Sequence, residues 1–137
     1  MVKINCVYID EDLLHELLDL ARHIHPREIL LILRGKKAKE KTHINIHITD
    51  YIVPPAPTFG YGFSSYKPHL LPLYTNIIGT FHNHPSGNPT PSIIDLHNSI
   101  GLCIIIATYP YKSIQDIHVY DRDGQQITLK LNKKSKQ

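Results

Sequence analysis

The chain has 137 residues, of which 42% are hydrophobic and 20% charged, a composition that indicates one globular domain and excludes a disordered or low-complexity protein. The formal net charge of +3 is mild, and no aromatic residues are interleaved with the lysines, which argues against a nucleic-acid partner. The N-terminus lacks a secretion-signal pattern and no apolar run is long enough to cross a membrane, so we expect a cytoplasmic protein with no membrane partner.

The N-terminal segment predicts a strand followed by an amphipathic helix. Residues Val2 to Ile9 alternate in the manner of a strand. Apolar residues then recur with a helical period after an acidic first turn, for which Asp10 is the expected cap and Pro26 the stop. The apolar positions of this helix are 13, 14, 17, 18, 20 and 21.

Two further strands are predicted in the first half of the chain. Ile29 to Leu33 is a near-continuous aliphatic run, as expected of a buried strand. Thr42 to Ile52 alternates strictly, with isoleucines on one face and polar residues on the other. Between them, the lysine-rich stretch from Lys36 to Lys39 is interpreted as a solvated loop.

The second half predicts a long loop followed by strands and a short helix. Pro54 to Tyr74 is rich in prolines and aromatic residues and has no period, so we expect a surface loop. Helices placed among several strands indicate an α/β or α+β sheet domain. The other predicted elements are a strand over Asn76 to His82, a helix over Ser92 to Ile100 ended by Gly101, strands over Leu102 to Thr108 and Asp116 to Tyr120, and a hairpin turn at Asp121 to Gly124 into a strand over Gln126 to Leu131.

The two cysteines are predicted to be structural. Cys6 and Cys103 both lie in apolar strand-like runs and lack the CxxC spacing of a thiol metal site. We therefore expect both side chains in the core, with no role in metal binding.

Two histidines one residue apart, His82 and His84, stand at the end of a predicted strand. Strand residues at i and i+2 share a face, so both imidazoles can converge on one ion. Asp95, in the first turn of the next predicted helix, can return a carboxylate to the strand end. Two imidazoles and a carboxylate suit zinc and leave its fourth position for water. The sequence therefore predicts a zinc site of the open, catalytic kind.

Chance and capping offer simpler interpretations. The chain has ten histidines, and a second His-x-His-Pro, at His23 and His25, falls at a helix end where i and i+2 do not face each other. Ser92 and Asp95 also have the spacing of a helix capping box, in which each side chain bonds the backbone amide of the other. Capping is compatible with a functional Ser92, but it competes with metal binding for Asp95.

The combined motif resembles the JAMM metalloprotease family, also called the Mov34/MPN/PAD-1 domain. His82-Asn-His84-Pro85, six residues, then Ser92-Ile-Ile-Asp95 matches the family's H-x-H-P, x6, S-x-x-D pattern without a gap. Pro26-Arg-Glu28 resembles the family's upstream Pro-x-Glu signature. Asn83, where many relatives carry Ser or Thr, resembles the RadC branch. The resemblance extends over almost the whole chain and is similar to the small, stand-alone archaeal members.

The resemblance implies a fold, a cofactor and roles for the site residues. The implied fold is a JAMM/MPN domain over residues 1–131, a curved mixed sheet flanked by helices and similar to cytidine deaminases, with a basic flexible tail over residues 132–137. The implied site holds one Zn²⁺ through His82, His84 and Asp95. Glu28 would act as the general base and later the proton donor to the leaving amine, and Ser92 would stabilise the oxyanion.

The resemblance also implies a substrate, the isopeptide bond after the C-terminal glycine of a ubiquitin-like modifier. Conjugates of such modifiers are then the expected partners, as for a desampylase or deubiquitinase. An extended tail can pair with an exposed strand edge, and the loop residues Phe59, Tyr61 and Phe63 are the candidate flap along that channel.

Two alternatives from other classes stay open. The chain could be a non-catalytic MPN-type module that binds ubiquitin-like proteins, although the complete set of candidate site residues argues against it. It could also be a RadC-like protein associated with DNA, although it lacks a concentrated basic face and a helix-hairpin-helix segment. A zinc nucleoside deaminase is excluded, because the chain has no HxE and no PCxxC.

Overall fold

The structure, a computed structural model, describes residues 3–54, 75–97 and 99–132. Within these ranges the chain forms seven strands, two α-helices and a short 3-10 helix at Ile114–Asp116. In chain order the elements are β1 (Lys3–Ile9), α1 (Glu11–Ile24), β2 (Leu30–Glu40), β3 (His43–Ile52), β4 (Ile77–His84), α2 (Ile93–His97), β5 (Cys103–Thr108), β6 (Ile117–Asp121) and β7 (Gln126–Leu131).

The strands form one mixed sheet in the order β1-β3-β2-β4-β5-β6-β7, which closes into a barrel through β1 and β7. The pairs β1–β3, β1–β7 and β4–β5 are parallel, and the other four are antiparallel. The predicted α+β class, a mixed sheet flanked by helices, is confirmed. Closure of the sheet was not predicted.

Helix α1 packs its apolar stripe on one face of this sheet. Its N-cap is Asp10, as predicted, but the Asp10 side chain makes no capping bond; its Oδ1 accepts a hydrogen bond from Asn132 instead, at 2.7 Å. The helix ends at Ile24, just before Pro26, also as predicted. Its buried residues are Leu14, Leu17, Leu18 and Ala21, and the core around them includes Val7, Ile46, Phe81 and Ile105.

The prediction of a lysine-rich loop is wrong. Lys36 to Lys39 belong to the second half of β2, where all side chains from Lys36 to Glu40 are exposed. At Arg34 and Gly35 the strand passes a bulge, and beyond it β2 pairs with β3 only. A strand segment that leaves the core carries charged side chains on both faces, so it has no apolar alternation to reveal it.

The predicted second helix is too long. It covers five residues, Ile93–His97, and not Ser92 to Ile100. Gly101 then adopts a φ of +81°, and a Cβ there would lie 2.6 Å from the carbonyl carbon of Ile78, so only glycine fits this approach of the chain to β4. The strand before the helix runs two residues further than predicted, to His84.

Several predictions lie outside the described residues. They are the loop from Pro55 to Tyr74 with its candidate flap residues Phe59, Tyr61 and Phe63, and residues 133–137 of the basic tail. In the described part of the chain, no helix combines the length and the apolar character needed to cross a membrane.

Candidate metal centre

Strand β4 places both histidines at its C-terminal end, on the same face of the sheet. His82 lies opposite Leu30 of β2 and Ile106 of β5, and His84 lies opposite Thr108. The connection from β4 through α2 to the parallel strand β5 is a crossover, and the carboxyl ends of such strands are where open α/β sheets place their sites.

Helix α2 brings Asp95 to this strand end. Leu96 packs against a small apolar cluster on the outer face of the sheet, formed by Ile104, Ile106 and Tyr120. This packing holds the short helix against β5 and β6, and the neighbouring Asp95 reaches His84. Their separation, from Nε2 of His84 to Oδ2 of Asp95, is 3.1 Å.

Both ring nitrogens of His84 face hydrogen-bond acceptors. Nδ1 lies 2.8 Å from the carbonyl oxygen of Asn88, and Nε2 faces the Asp95 carboxylate. A neutral imidazole has one N–H, so it satisfies one of these acceptors only. The second contact requires either another ring proton or a cation shared with the carboxylate. Ligand atoms about 2.0 Å from a tetrahedral zinc are roughly 3.3 Å apart, close to the separation observed here.

His82 carries a buried nitrogen without a partner. Among the described residues, nothing lies within hydrogen-bonding distance of its Nε2. Burial lowers the pKa of His82, the Asp95 charge opposes this, and His84 lowers it further, so the ring is held neutral with a lone pair available. A buried polar atom without a hydrogen bond is rare in folded proteins, and a metal, a ligand or an ordered water can supply the missing partner.

The charges around His84 and Asp95 reinforce each other. The hydrogen bond with Asp95 raises the pKa of His84, burial lowers it, and the Asn88 carbonyl and the charges of Asp95 and Glu28 raise it further. Burial raises the pKa of Asp95, but the hydrogen bonds from His84 and from the backbone and side chain of Ser92 outweigh burial and hold it well below its usual range. The carboxylate is therefore ionised, as a metal ligand must be.

Ser92 and Asp95 also form the reciprocal capping box. The Asp95 amide donates to Ser92 Oγ at 3.0 Å, and the Ser92 amide donates to Asp95 Oδ2 at 2.9 Å. The capping interpretation is thus confirmed. It does not prevent Oδ2 from facing His84 at the same time.

Glu28 lies just before β2, is exposed, and is close enough for its charge to act on His84. Sequence reasoning missed the residue that bonds the backbone beside it, the fully buried Asn83. Asn83 Oδ1 accepts from the Ile29 amide at 2.7 Å, and its Nδ2 donates to the Arg27 carbonyl at 2.8 Å. The available signal was a polar residue on the same face of β4 as the buried Phe81.

The three predicted ligands are only partly assembled. His84 and Asp95 are in contact, and His82 lies on the same strand face. Across residues 3–54, 75–97 and 99–132, no group of three or more His, Cys, Asp or Glu side chains is close enough together to hold a metal ion. The donor set fits zinc by its chemistry and by the unpaired nitrogen of His82, and the zinc site stays a prediction.

Comparisons with known proteins agree with the fold and the family. A probable metalloprotease of Haloferax volcanii is 28% identical over 122 residues, which cover 87% of this chain and 75% of that protein. The crystal structure of a JAB1/MPN domain protein from Archaeoglobus fulgidus has a TM-score of 0.62 at 25% identity, covering 92% of this chain and 99% of that one.

A structure described as "JAMM: a metalloprotease-like zinc site in the proteasome and signalosome" has a TM-score of 0.61 at 23% identity, covering 96% of this chain and 100% of that one. At this identity the likeness supports the fold alone. The family model for prokaryotic homologs of the JAB domain matches residues 10–121. The chain therefore belongs to the prokaryotic homologs of the JAB domain, within the JAMM/MPN family.

Proposed function

We propose that this protein is a zinc-dependent metallopeptidase that hydrolyses the isopeptide or peptide bond after the C-terminal glycine of a ubiquitin-like modifier. The observation that carries the proposal is the unpaired, buried Nε2 of His82 beside a His84 ring whose two nitrogens both face acceptors. Membership of a family with a probable metalloprotease among its relatives supports the same reaction class.

The residues that would hold zinc are His82, His84 and Asp95. A zinc ion bound there would polarise the scissile carbonyl and lower the pKa of a water molecule to about 7. The carboxylate of Asp95, ionised and bonded by the Ser92 amide, keeps its orientation before a metal arrives. The His84 ring is oriented in the same way by the Asn88 carbonyl.

Glu28 is assigned the proton transfers. Its carboxylate takes the proton of the attacking water and returns it to the leaving amine, which converts an expelled anion into a neutral amine. Ser92 is assigned to the developing oxyanion. Its hydroxyl oxygen accepts from the Asp95 amide, and its O–H, which bonds the Asp95 carboxylate, would turn to donate to the oxyanion.

The substrate class follows from the family resemblance and from the surface beside the site. Ile93 and Ile94 of α2 are 74% and 70% exposed and lie directly before Asp95, so a protein substrate that covers this helix would bury two large apolar side chains. An extended glycine-rich tail is slim enough to approach a recessed site. Phe59, Tyr61 and Phe63 are proposed as its flap, and conjugates of ubiquitin-like proteins as partners.

The test compares zinc-loaded and chelator-treated protein on a conjugate linked through the C-terminal glycine of a ubiquitin-like protein. We expect cleavage with about one zinc per chain, loss of cleavage after metal removal, and recovery on adding zinc back. Glu28→Gln should bind zinc normally and lose about 10²- to 10⁴-fold in rate. Glu40→Gln, at the exposed end of β2 away from the site, is the matched control and should cleave normally.

Two outcomes would count against this function. Cleavage that persists after complete zinc removal would contradict the metallopeptidase mechanism. A zinc-loaded protein that binds the modifier without cutting any conjugate would favour a non-catalytic binding module.

A further inference from the structure

Asn83 joins two parts of the chain that the sheet itself does not join. The β2–β4 ladder ends at the pair Leu30 and His82, so residues 27–29 lie beyond its last backbone bonds. There the Asn83 carboxamide takes over, with the Ile29 amide bonded to Oδ1 at 2.7 Å and the Arg27 carbonyl bonded to Nδ2 at 2.8 Å. The two peptide groups that it bonds flank Glu28.

This arrangement ties Glu28 to the histidines through a single residue. His82 and His84 project from one face of β4, and Asn83 between them projects to the other face, where it is fully buried. A shift of β4 at this point would therefore move both histidines and the backbone of Glu28 together. The Glu28 side chain is exposed, so burial does not orient it, and its position depends on the backbone that carries it.

A second group of side chains holds the carboxamide from behind. The hydroxyl of Tyr111 lies 3.4 Å from Asn83 Nδ2 and 3.1 Å from His25 Nδ1. Tyr111 is buried, and the guanidinium of Arg22 donates to its backbone carbonyl. The His25 ring is stacked on Tyr109, with 4.7 Å between ring centroids. The orientation of the amide is thus fixed by contacts outside the metal centre.

We propose that Asn83 is a positioning residue for Glu28. Its side-chain amide bonds the peptide groups on both sides of Glu28 and so holds Glu28 at the candidate metal centre. The carboxamide presents the acceptor that the Ile29 amide needs and the donor that the Arg27 carbonyl needs. Aspartate has no donor when ionised, and a serine hydroxyl is too small to reach both groups. The kinetic part of the test rests on the proposed function, and the part based on amide exchange does not.

The first experiment measures backbone amide exchange in zinc-free protein. In Asn83→Ala we expect the Ile29 amide to exchange at least about tenfold faster than in the wild type, relative to the Ile105 amide in the core strand β5. The reference to Ile105 separates local release from a general loss of stability. Thr80→Val is the matched control, because Thr80 is equally buried on β4 and, among the described residues, its hydroxyl has no hydrogen-bond partner.

The second experiment is a double-mutant cycle on the cleavage of a ubiquitin-like conjugate. Asn83→Ala should lower kcat about 10- to 100-fold, because a misplacement of about 1 Å has a cost of that order, while KM and zinc affinity stay unchanged. In the Glu28→Gln background the same substitution should cost nothing further, since the residue through which Asn83 acts is already lost.

Asn83→Ser keeps a small polar group and is the second test variant, to be used if Asn83→Ala does not fold. We expect an intermediate loss in kcat and faster exchange of Ile29, because the hydroxyl satisfies one of the two peptide groups at most. Unchanged relative exchange of Ile29 in both variants would overturn the proposal, as would an equal loss in kcat with and without Glu28. If the wild-type protein cleaves no conjugate, the proposed function fails and the exchange result alone decides the role of Asn83.

Discussion

At the scale of single residues, the candidate site is defined by hydrogen bonds that the protein cannot all satisfy by itself. Oδ2 of Asp95 faces the Ser92 amide and His84 Nε2, while the other nitrogen of His84 is held by a carbonyl. Protonation of His84 relieves this conflict in the absence of a metal. A cation would relieve it without the extra proton, and under the proposed function it would also be the partner of the buried nitrogen of His82.

The contact between His84 and Asp95 could be predicted from the motif spacing because the two residues are close together in the chain. His82 to Asp95 spans one strand end and one helix start, so local geometry alone brings a carboxylate to an imidazole. The sequence does not reveal the role of Asn83, because its partners Arg27 and Ile29 are 56 and 54 residues away. Nor does it reveal the contact between His84 and the carbonyl of Asn88, since every residue type carries a backbone carbonyl.

Removal of the Asp95 charge should weaken metal binding while α2 keeps its cap. In Asp95→Asn the amide oxygen can still accept from the Ser92 backbone, but a neutral amide is a poor zinc ligand. We expect zinc affinity to fall by on the order of 100-fold or more, since loss of even an outer partner of a metal ligand costs 10- to 100-fold. Calorimetric titration with zinc measures the change.

The matched control for that substitution is Asp121→Asn. Like Asp95, Asp121 accepts hydrogen bonds from backbone amides. Its Oδ1 accepts from the amides of Asp123 and Gln125, both at 2.9 Å, in the turn before β7. Zinc affinity should be the same as in the wild type. A zinc affinity in Asp95→Asn equal to that of the wild type would show that the Asp95 carboxylate is not a zinc ligand.

Ser92 offers a way to separate capping from catalysis. Ser92→Ala removes the hydroxyl that accepts from the Asp95 amide, and Ser113→Ala removes a similar cap, which accepts from the Gln115 amide at 3.2 Å. Both substitutions should reduce stability by about 1 kcal/mol or less. Only Ser92→Ala should also reduce kcat, by about 100-fold or more, because it removes a donor to the oxyanion. Denaturant melts and conjugate cleavage measure the two effects, and equal kcat in both variants would assign Ser92 to capping alone.

At the scale of elements, apolar periodicity predicted what faces the core, and the turn residues Asp121 to Gly124 predicted β7, which has no fully buried side chain. Helix α1 and strands β1, β3 and β5 were predicted nearly to their ends, because each buries a regular set of side chains. The exposed half of β2 was misassigned, since an edge rich in lysine has the composition of a loop. Helix α2 was predicted too long because none of its residues is fully buried, so its end is set by the turn toward Gly101.

That turn can be tested with a matched pair of glycines. Gly101 and Gly124 have φ angles of +81° and +86°, so alanine at either position should cost about 1–2 kcal/mol in backbone strain. A Cβ at Gly101 would also lie 2.6 to 2.8 Å from the backbone of Ile78 and Gly79, whereas at Gly124 its nearest neighbour is Leu96 Cδ1, at 3.9 Å. We expect Gly101→Ala to reduce the free energy of unfolding by at least about 1 kcal/mol more than Gly124→Ala. Urea unfolding measures this difference. Equal losses in the two variants would mean that β4 shifts to make room for the added methyl group at no cost in free energy.

At the scale of the whole molecule, closure of the sheet is the feature that sequence patterns could not supply. Strands β1 and β7 come from opposite ends of the described chain, and no local signal indicates that they pair, or that they pair in parallel. Strand β7 is also lightly held on its β6 side. No side chain of β7 is fully buried, and its ladder with β6 has two residue pairs, Val119 with Ile127 and Tyr120 with Gln126. We therefore expect β7 to open at a lower free energy than the rest of the barrel.

The two cysteines can be used to measure this difference in opening free energy between β7 and the rest of the barrel. Cys6 lies opposite Thr128 of β7 and outside the core cluster around α1, whereas Cys103 belongs to that cluster, and burial raises the pKa of its thiol to about 12. Because the thiolate is the reactive form, Cys103 should resist alkylation near pH 8 until the core unfolds, while opening of β7 exposes Cys6 earlier. Pulsed alkylation of the native protein, with each cysteine peptide followed by mass spectrometry, should label Cys6 at least about tenfold faster than Cys103. Equal rates would show that the barrel opens as one cooperative unit, with β7 as firmly bound as the strands that carry the site.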